Sequence, residues 1–123
     1  MRLAGLTLET EYFEDYLSFL TEVLELEMEE LTDISMSLKL SNTTLEIKKI
    51  PSGPHLVASK LEFVLDEAEF EALIQKVNFF YYRKGPTRFL LLGMVNGTCQ
   101  LTDPDGRVWR FSSLRPQENS LQL

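Results

Sequence analysis

The chain of 123 residues is 44% hydrophobic and 25% charged, a composition that is typical of a folded protein and excludes an intrinsically disordered one. A chain of this length fits one compact core. Its 19 acidic and 12 basic residues give a formal net charge of −7, so the overall field repels phosphate backbones and anionic lipid headgroups. We therefore expect neither nucleic acid nor a membrane as a partner.

The first half of the chain predicts one strand, one helix and then three strands. Alternating apolar and polar residues predict strands at residues 3–10, 34–41 and 44–50. Residues 25–30 are predicted as another strand, although their glutamates also suit a helix. Apolar residues recur at three- and four-residue steps through residues 11–24 and predict a helix. Its apolar stripe is predicted to consist of Phe13, Leu17, Leu20 and Leu24, with Tyr16 and Val23 beside them.

The second half repeats this order after a connection rich in Pro and Gly at residues 51–54. The predicted elements are a strand at residues 59–65, a helix at 66–82, and strands at 87–95, 98–102 and 107–113. The sequence thus predicts an α+β fold of two tandem modules. They span about residues 3–50 and 55–113 of a single domain at 1–115, with a polar tail at 116–123.

Two segments at corresponding places in this plan resemble a known superfamily. The first is FLTEVLELE from Phe19 to Glu27, similar to the pattern FYTDVLGLE. The second is DPDGRVWRF from Asp103 to Phe111, similar to the pattern DPDGNVIEL. Both patterns belong to the vicinal oxygen chelate superfamily, which includes glyoxalases, bleomycin-resistance proteins and dioxygenases. The resemblance implies two βαβββ modules whose curved mixed sheet encloses a cleft.

The resemblance also implies a divalent metal in that cleft, held by one residue from the first and one from the last strand of each module. These places fall on Gly5, Glu46, Lys60 and Arg110. Only Glu46 can bind a cation, because Gly5 has no side chain and the other two are cations. A one-residue shift of the alignment brings in Thr7, Glu9 or Glu62 but no histidine. We therefore expect no metal and no other cofactor.

The resemblance brings Glu46, Lys60 and Arg110 together in the cleft, where two interpretations remain open. The three charges are either a salt-bridge cluster that joins the modules, or a site in which the two cations receive a carboxylate or phosphate group. Glu46 is also the one candidate for a catalytic base, but no partner acid or nucleophile accompanies it.

Three functions are compatible with these residues. The first is a metal-free protein, similar to the bleomycin-resistance branch, that binds a small organic and possibly anionic ligand between the modules. The second is a metal-dependent lyase or dioxygenase relative with misassigned ligands, and the third is a structural or regulatory module. A homodimer is expected for any of them, because half-open sheets leave edges for a neighbour to cover.

The remaining notable side chains predict structural roles. Cys99 has no nearby base and is expected to be unreactive, Trp109 is expected in the core, and His55 in a solvated loop. The aromatic residues 79–82 favour packing over a ligand site. The acidic run Glu25, Glu27, Glu29, Glu30 and Asp33 is expected to be a solvated face. A single cysteine, no signal peptide and no membrane-spanning stretch predict a cytoplasmic protein.

Overall fold

The structure, a computed structural model, describes residues 1–52, 59–83, 85, 87–95 and 97–114. Contacts divide the chain into two compact units, Met1–His55 and Leu56–Leu123. Each has one strand, one helical segment and three further strands, which confirms the predicted α+β fold of two βαβββ modules. His55, part of the predicted connection and the predicted tail lie outside the described residues. No helix within those residues is long and apolar enough to span a membrane.

The first unit forms a four-stranded mixed sheet in the order β1-β4-β3-β2. Its elements are β1 (Gly5–Thr10), α1 (Phe13–Ser18), a π-helical turn (Phe19–Val23), β2 (Glu27–Leu31), β3 (Ser35–Leu40) and β4 (Thr43–Lys49). β1 runs parallel to β4, and the other pairs are antiparallel. The core residues of the strands are Leu8, Met36, Leu38, Leu45 and Ile47. They alternate with polar residues, as a sheet that is covered on one face requires.

The helix of the first unit buries most of the predicted stripe but adds one residue to it and leaves two partly out. Phe13, Tyr16, Leu20 and Val23 are buried as predicted, and Phe19 is buried with them. Leu17 and Leu24, which belong to the predicted stripe, are only half-buried. A count of apolar spacing gives leucine and aromatic residues equal weight. Burying the larger aromatic rings removes more apolar area from water, so the helix faces the sheet with its aromatic side.

The second unit repeats the topology with sheet order β5-β8-β7-β6. Its elements are β5 (Lys60–Leu65), α2 (Glu67–Tyr82), β6 (Leu90–Val95), β7 (Thr98–Thr102) and β8 (Val108–Ser113). α2 begins with a capping box, in which the Asp66 carboxylate accepts a hydrogen bond from Glu69 N at 2.7 Å and the Glu69 carboxylate accepts one from Asp66 N at 3.1 Å. This reciprocal cap fixes the helix start where the sequence places it.

Aromatic rings fill the core of the second unit. Trp109 is fully buried, as predicted, with ring centroids of Phe63 and Phe89 at 5.7 and 6.2 Å. The Phe63 ring also stacks on Phe111 at 5.0 Å. Of the aromatic residues at the end of α2, Phe80 is buried whereas Phe79 and Tyr82 are exposed, so the predicted packing role holds for only part of that segment.

The turn between β7 and β8 is organised by the buried carboxylate of Asp103. Its Oδ1 atom accepts hydrogen bonds from the backbone N–H groups of Asp105 at 2.9 Å and Arg107 at 3.0 Å. Its Oδ2 atom accepts from Arg107 Nη1 at 3.3 Å and from Trp109 Nε1 at 2.9 Å. Arg107 also pairs with Asp105 at 3.6 Å. The turn is therefore connected to the aromatic core through one carboxylate.

The buried Cys99 thiol and the half-buried Tyr81 hydroxyl make the second unit sensitive to alkali. Burial raises the pKa of the Cys99 thiol from 9.0 to about 11. Burial and the nearby Cys99 raise the pKa of Tyr81 from 10.0 to about 12, while its hydroxyl donates to Phe89 O at 2.6 Å. The folded state thus favours the neutral forms, consistent with the predicted low reactivity of Cys99.

We expect the free energy of unfolding to fall as the pH rises from 9 towards 12. Both pKa values are raised on folding, so the unfolded chain loses these protons first, and the stability present below pH 9 is lost through this window. Urea unfolding at a series of pH values measures the effect. Cys99→Ala should flatten the early part of the decline, and an unchanged urea midpoint between pH 9 and 11 would contradict the prediction.

Candidate ligand-binding face

Each sheet has one face against its helix and one face that the helix leaves uncovered. α1 contacts β4, and α2 contacts β5 and β8. Along β4, Glu46 alternates with the core residues Leu45 and Ile47, so it lies on the opposite face. Along β8, Arg110 alternates with the core residues Trp109 and Phe111 in the same way. We call these two surfaces the first and the second helix-free face.

The strand registers show that Glu46 and Arg110 occupy equivalent positions in the two sheets. Glu46 pairs with Thr7 of β1 and Ser37 of β3. The equivalent row of the second sheet consists of Glu62, Arg110 and Gln100. Gly5 lies two residues before Thr7 on β1, and Lys60 lies two residues before Glu62 on β5. Gly5 and Lys60 are therefore also equivalent to each other. The four positions selected from the sequence are thus two pairs of equivalent places in the two sheets, Gly5 with Lys60 and Glu46 with Arg110.

On the first helix-free face, Glu46 is held by a neighbouring hydroxyl. Its Oε1 atom accepts a hydrogen bond from Thr7 Oγ1 at 3.1 Å, and the side chain is half-buried. A Cβ on Gly5 would lie 3.4 Å from the carbonyl oxygen of Thr44. That distance is at the short end of ordinary contact, so space alone does not require glycine there.

On the second helix-free face, the equivalent position is held by an ion pair. Arg110 Nη1 lies 3.6 Å from Glu62 Oε1, and the two side chains are 38% and 60% exposed. A pair this long and this exposed contributes at most about 1 kcal/mol. The Nε atom of Arg110 is buried and has no hydrogen-bond partner. Leaving such a donor unpaired costs about 1–3 kcal/mol, which an acceptor at this point would recover.

The structure places Lys60 and Arg110 on one face, in adjacent parallel strands. Lys60 is exposed, and no ion pair links it to another described residue. Glu46 belongs to the first unit, and its convergence with the two cations stays a prediction. Glu62, which the sequence indicated only as a metal ligand after a one-residue shift of the alignment, is the ion-pair partner of Arg110. Its place two residues after Lys60 on a strand already put it on the same face.

These residues do not fit the metal that the superfamily resemblance implies. The four equivalent positions provide one carboxylate, one glycine and two cations. Within the described ranges, no group of three or more His, Cys, Asp or Glu side chains is placed to hold a metal ion. Divalent metals require several converging oxygen, nitrogen or sulfur ligands.

Solved structures share this architecture across almost the whole chain. The fosfomycin resistance protein FosX from Mesorhizobium loti superimposes with a TM-score of 0.69 at 12% identity, covering 98% of this chain and 97% of that one. FosX from Listeria monocytogenes, solved with Mn(II) and sulfate, gives 0.68 at 12% identity, covering 98% and 96%.

Lactoylglutathione lyase from Agrobacterium tumefaciens gives a TM-score of 0.63 at 15% identity, covering 91% of this chain and 92% of that one. No protein-family profile matches the sequence, and no curated protein matches it. At these identities the likeness establishes the fold. The chain therefore has the tandem βαβββ fold of the vicinal oxygen chelate superfamily.

Proposed function

We propose that this protein binds a small organic anion without a metal ion, and that Arg110 and Lys60 on the second helix-free face receive its anionic group. The observation that carries the proposal is the buried Nε atom of Arg110, which has no acceptor. Two cations on one sheet face of a chain with net charge −7 form a local positive site that a carboxylate, sulfate or phosphonate fits.

Arg110 offers the geometry for such a group. A guanidinium presents Nε and Nη donors as a planar fork that binds two oxygens of one anion. Glu62 occupies only the Nη1 side, at 3.6 Å, and its exposure allows it to swing away. Gln100, the neighbour of Arg110 on β7, carries an amide that can donate to a further oxygen. A ligand anion would then exchange one long ion pair for several short hydrogen bonds.

A structural neighbour supports this ligand class. FosX from Listeria monocytogenes has been solved with sulfate, although together with Mn(II). A metal-dependent lyase or dioxygenase is the alternative function for this fold. The donor set here supports the metal-free choice, because two of the four relevant positions are cations. Binding alone needs no catalytic group, so a sequestering protein is the simplest function that these residues serve.

We expect Arg110→Gln to weaken anion binding about ten- to a hundredfold, since charge-assisted hydrogen bonds contribute about 1.5–3 kcal/mol. Isothermal titration with sulfate, methylphosphonate and benzoate measures the affinity. Lys60→Gln should weaken binding less, because lysine acts as a point charge. Lys49→Gln removes the same charge from an exposed position of the first unit and should leave the affinity unchanged.

Two outcomes would overturn the proposal. One is that none of the three anions binds the wild-type protein, and the other is that Lys49→Gln weakens binding as much as Arg110→Gln. A thermal-shift titration with Zn, Mn, Fe and Ni salts tests the alternative directly, because a ligand of the folded state raises the midpoint by mass action. Stabilisation at stoichiometric metal would favour the metal-dependent enzyme.

Three expectations remain attached to this proposal as predictions. The ligand is expected to extend into the cleft that the resemblance implies between the modules, with Glu46 as a further contact. Glu46 remains the candidate base for any residual catalysis. A cytoplasmic location remains expected from the cysteine content and the N-terminal sequence.

A further inference from the structure

The second helix-free face is charged on one side and uncharged on the other. Among the described residues of its four strands, the charged ones on this face all lie on β5 and β8: Lys60, Glu62 and Arg110. Across β7 and β6, the strand registers continue the row of Arg110 with Gln100 and then Gly93. The neighbouring rows end on β6 at Leu90 and Val95, which are 59% and 73% exposed. The face thus combines cations on one side with exposed apolar groups on the other.

The first helix-free face carries charges in the equivalent places. β2 is the counterpart of β6 in its sheet, and both strands have a register shift at the same point. Glu30 of β2 takes the place of Gly93, and Glu27 takes the place of Leu90. Because the backbone pairing is the same in both sheets, the fold does not require an uncharged surface on β6. That surface is a property of its side chains.

Gly93 leaves an open place in this uncharged half. A Cβ at Gly93 would meet no heavy atom of the described residues within 4 Å, its chain neighbours apart, so packing does not require glycine there. Its backbone is also outside the left-handed region, unlike that of Gly97 and Gly106. Glycine inside a strand weakens the strand and often marks a place that a ligand approaches closely. We call Leu90, Gly93 and Val95 the β6 trough.

We infer that the anion received by Arg110 carries a flat aromatic body, and that this body lies on the β6 trough. The inference rests on the proposed function, which supplies the anionic end of the ligand. Gly93 is two strand spacings, about 10 Å, from Arg110, a distance that an aryl carboxylate can bridge over Gln100. A ring on the trough covers exposed leucine and valine side chains and removes their apolar area from water. It does so without desolvating a carboxylate, since the trough has no charged residue.

Isothermal titration with acetate, benzoate and 2-naphthoate tests the inference, because these ligands share a carboxylate and differ in ring area. We expect 2-naphthoate to bind at least about tenfold more tightly than acetate, since the ring adds buried apolar area. Gly93→Val fills the trough and should remove most of this advantage without changing the affinity for acetate. Leu90→Thr should reduce the advantage. Leu91→Thr truncates the neighbouring leucine on the opposite face of β6 and should leave the advantage unchanged.

The possible results separate this inference from the proposed function. Equal affinities for acetate and 2-naphthoate, both weakened by Arg110→Gln, would overturn the aromatic ligand and leave the anion site in place. So would a Gly93→Val protein with the circular dichroism of the wild type that keeps the full advantage of 2-naphthoate, or a Leu91→Thr protein that loses as much of it as Leu90→Thr. If none of the three ligands binds, or if Arg110→Gln leaves 2-naphthoate binding unchanged, the proposed function fails and this inference fails with it.

Discussion

Replacing Asp103 by asparagine is expected to lower the free energy of unfolding by about 3–5 kcal/mol, the usual effect of removing one partner from a buried ion pair. The carboxylate accepts four hydrogen bonds, two from the backbone of the turn and two from the side chains of Arg107 and Trp109. An amide in this place has one oxygen and one nitrogen. The nitrogen would face donors that it cannot accept from, and the buried Arg107 would keep only its longer ion pair, to Asp105 at 3.6 Å.

Urea unfolding near neutral pH measures this loss. Asp33→Asn is the matched control, because Asp33 is an exposed acid in the connection between β2 and β3, where the same change should alter stability by less than about 0.5 kcal/mol. If Asp103→Asn unfolds within about 1 kcal/mol of the wild type, the carboxylate does not organise the turn.

Phe19→Ala is expected to destabilise the protein by about 3–5 kcal/mol, the range for an aromatic residue truncated in a packed core. Phe19 opens the π-helical turn and is fully buried. Its ring belongs to the aromatic side that the first helix turns towards its sheet. Little of this cavity can close, since Tyr16, Leu20 and Val23 around it are also buried.

Leu17→Ala provides the comparison that decides the orientation of this helix. Leu17 is half-buried, so its truncation should cost less than about 2 kcal/mol. The stripe predicted from the sequence includes Leu17 and does not include Phe19, so it gives the reverse order. Urea unfolding of both variants separates the two arrangements, and a Leu17→Ala protein as unstable as Phe19→Ala would restore the predicted stripe.

The sequence was sufficient for the order and type of the elements because their signals are local. Alternation along residues 34–41 predicts the strand found at Ser35–Leu40, and Asp66 with Glu69 gives the cap of α2. The start of β2 was predicted two residues early. Glu25 there has a φ of 50°, a left-handed conformation that sequence spacing does not indicate for glutamate.

The candidate site was only partly predictable, for a related reason. The two-residue period of a strand places Lys60 and Glu62 on one face without further information. Which of them meets Arg110 depends on the parallel register of β5 and β8, which is a contact between distant parts of the chain. The register shifts in β2, between Met28 and Glu30, and in β6, between Leu91 and Gly93, are equally non-local.

The matching registers also explain how two halves of different length keep the same surface. The helical segment of the first unit has six α-helical and five π-helical residues, whereas α2 has sixteen. The turn before the last strand is Ser41 and Asn42 in one half and residues 103–107 in the other. The two halves thus differ in the helical layer and at one turn, while the strands keep a common grid of side-chain positions. On such a grid either half can acquire a new recognition chemistry by single substitutions, without any change in the backbone.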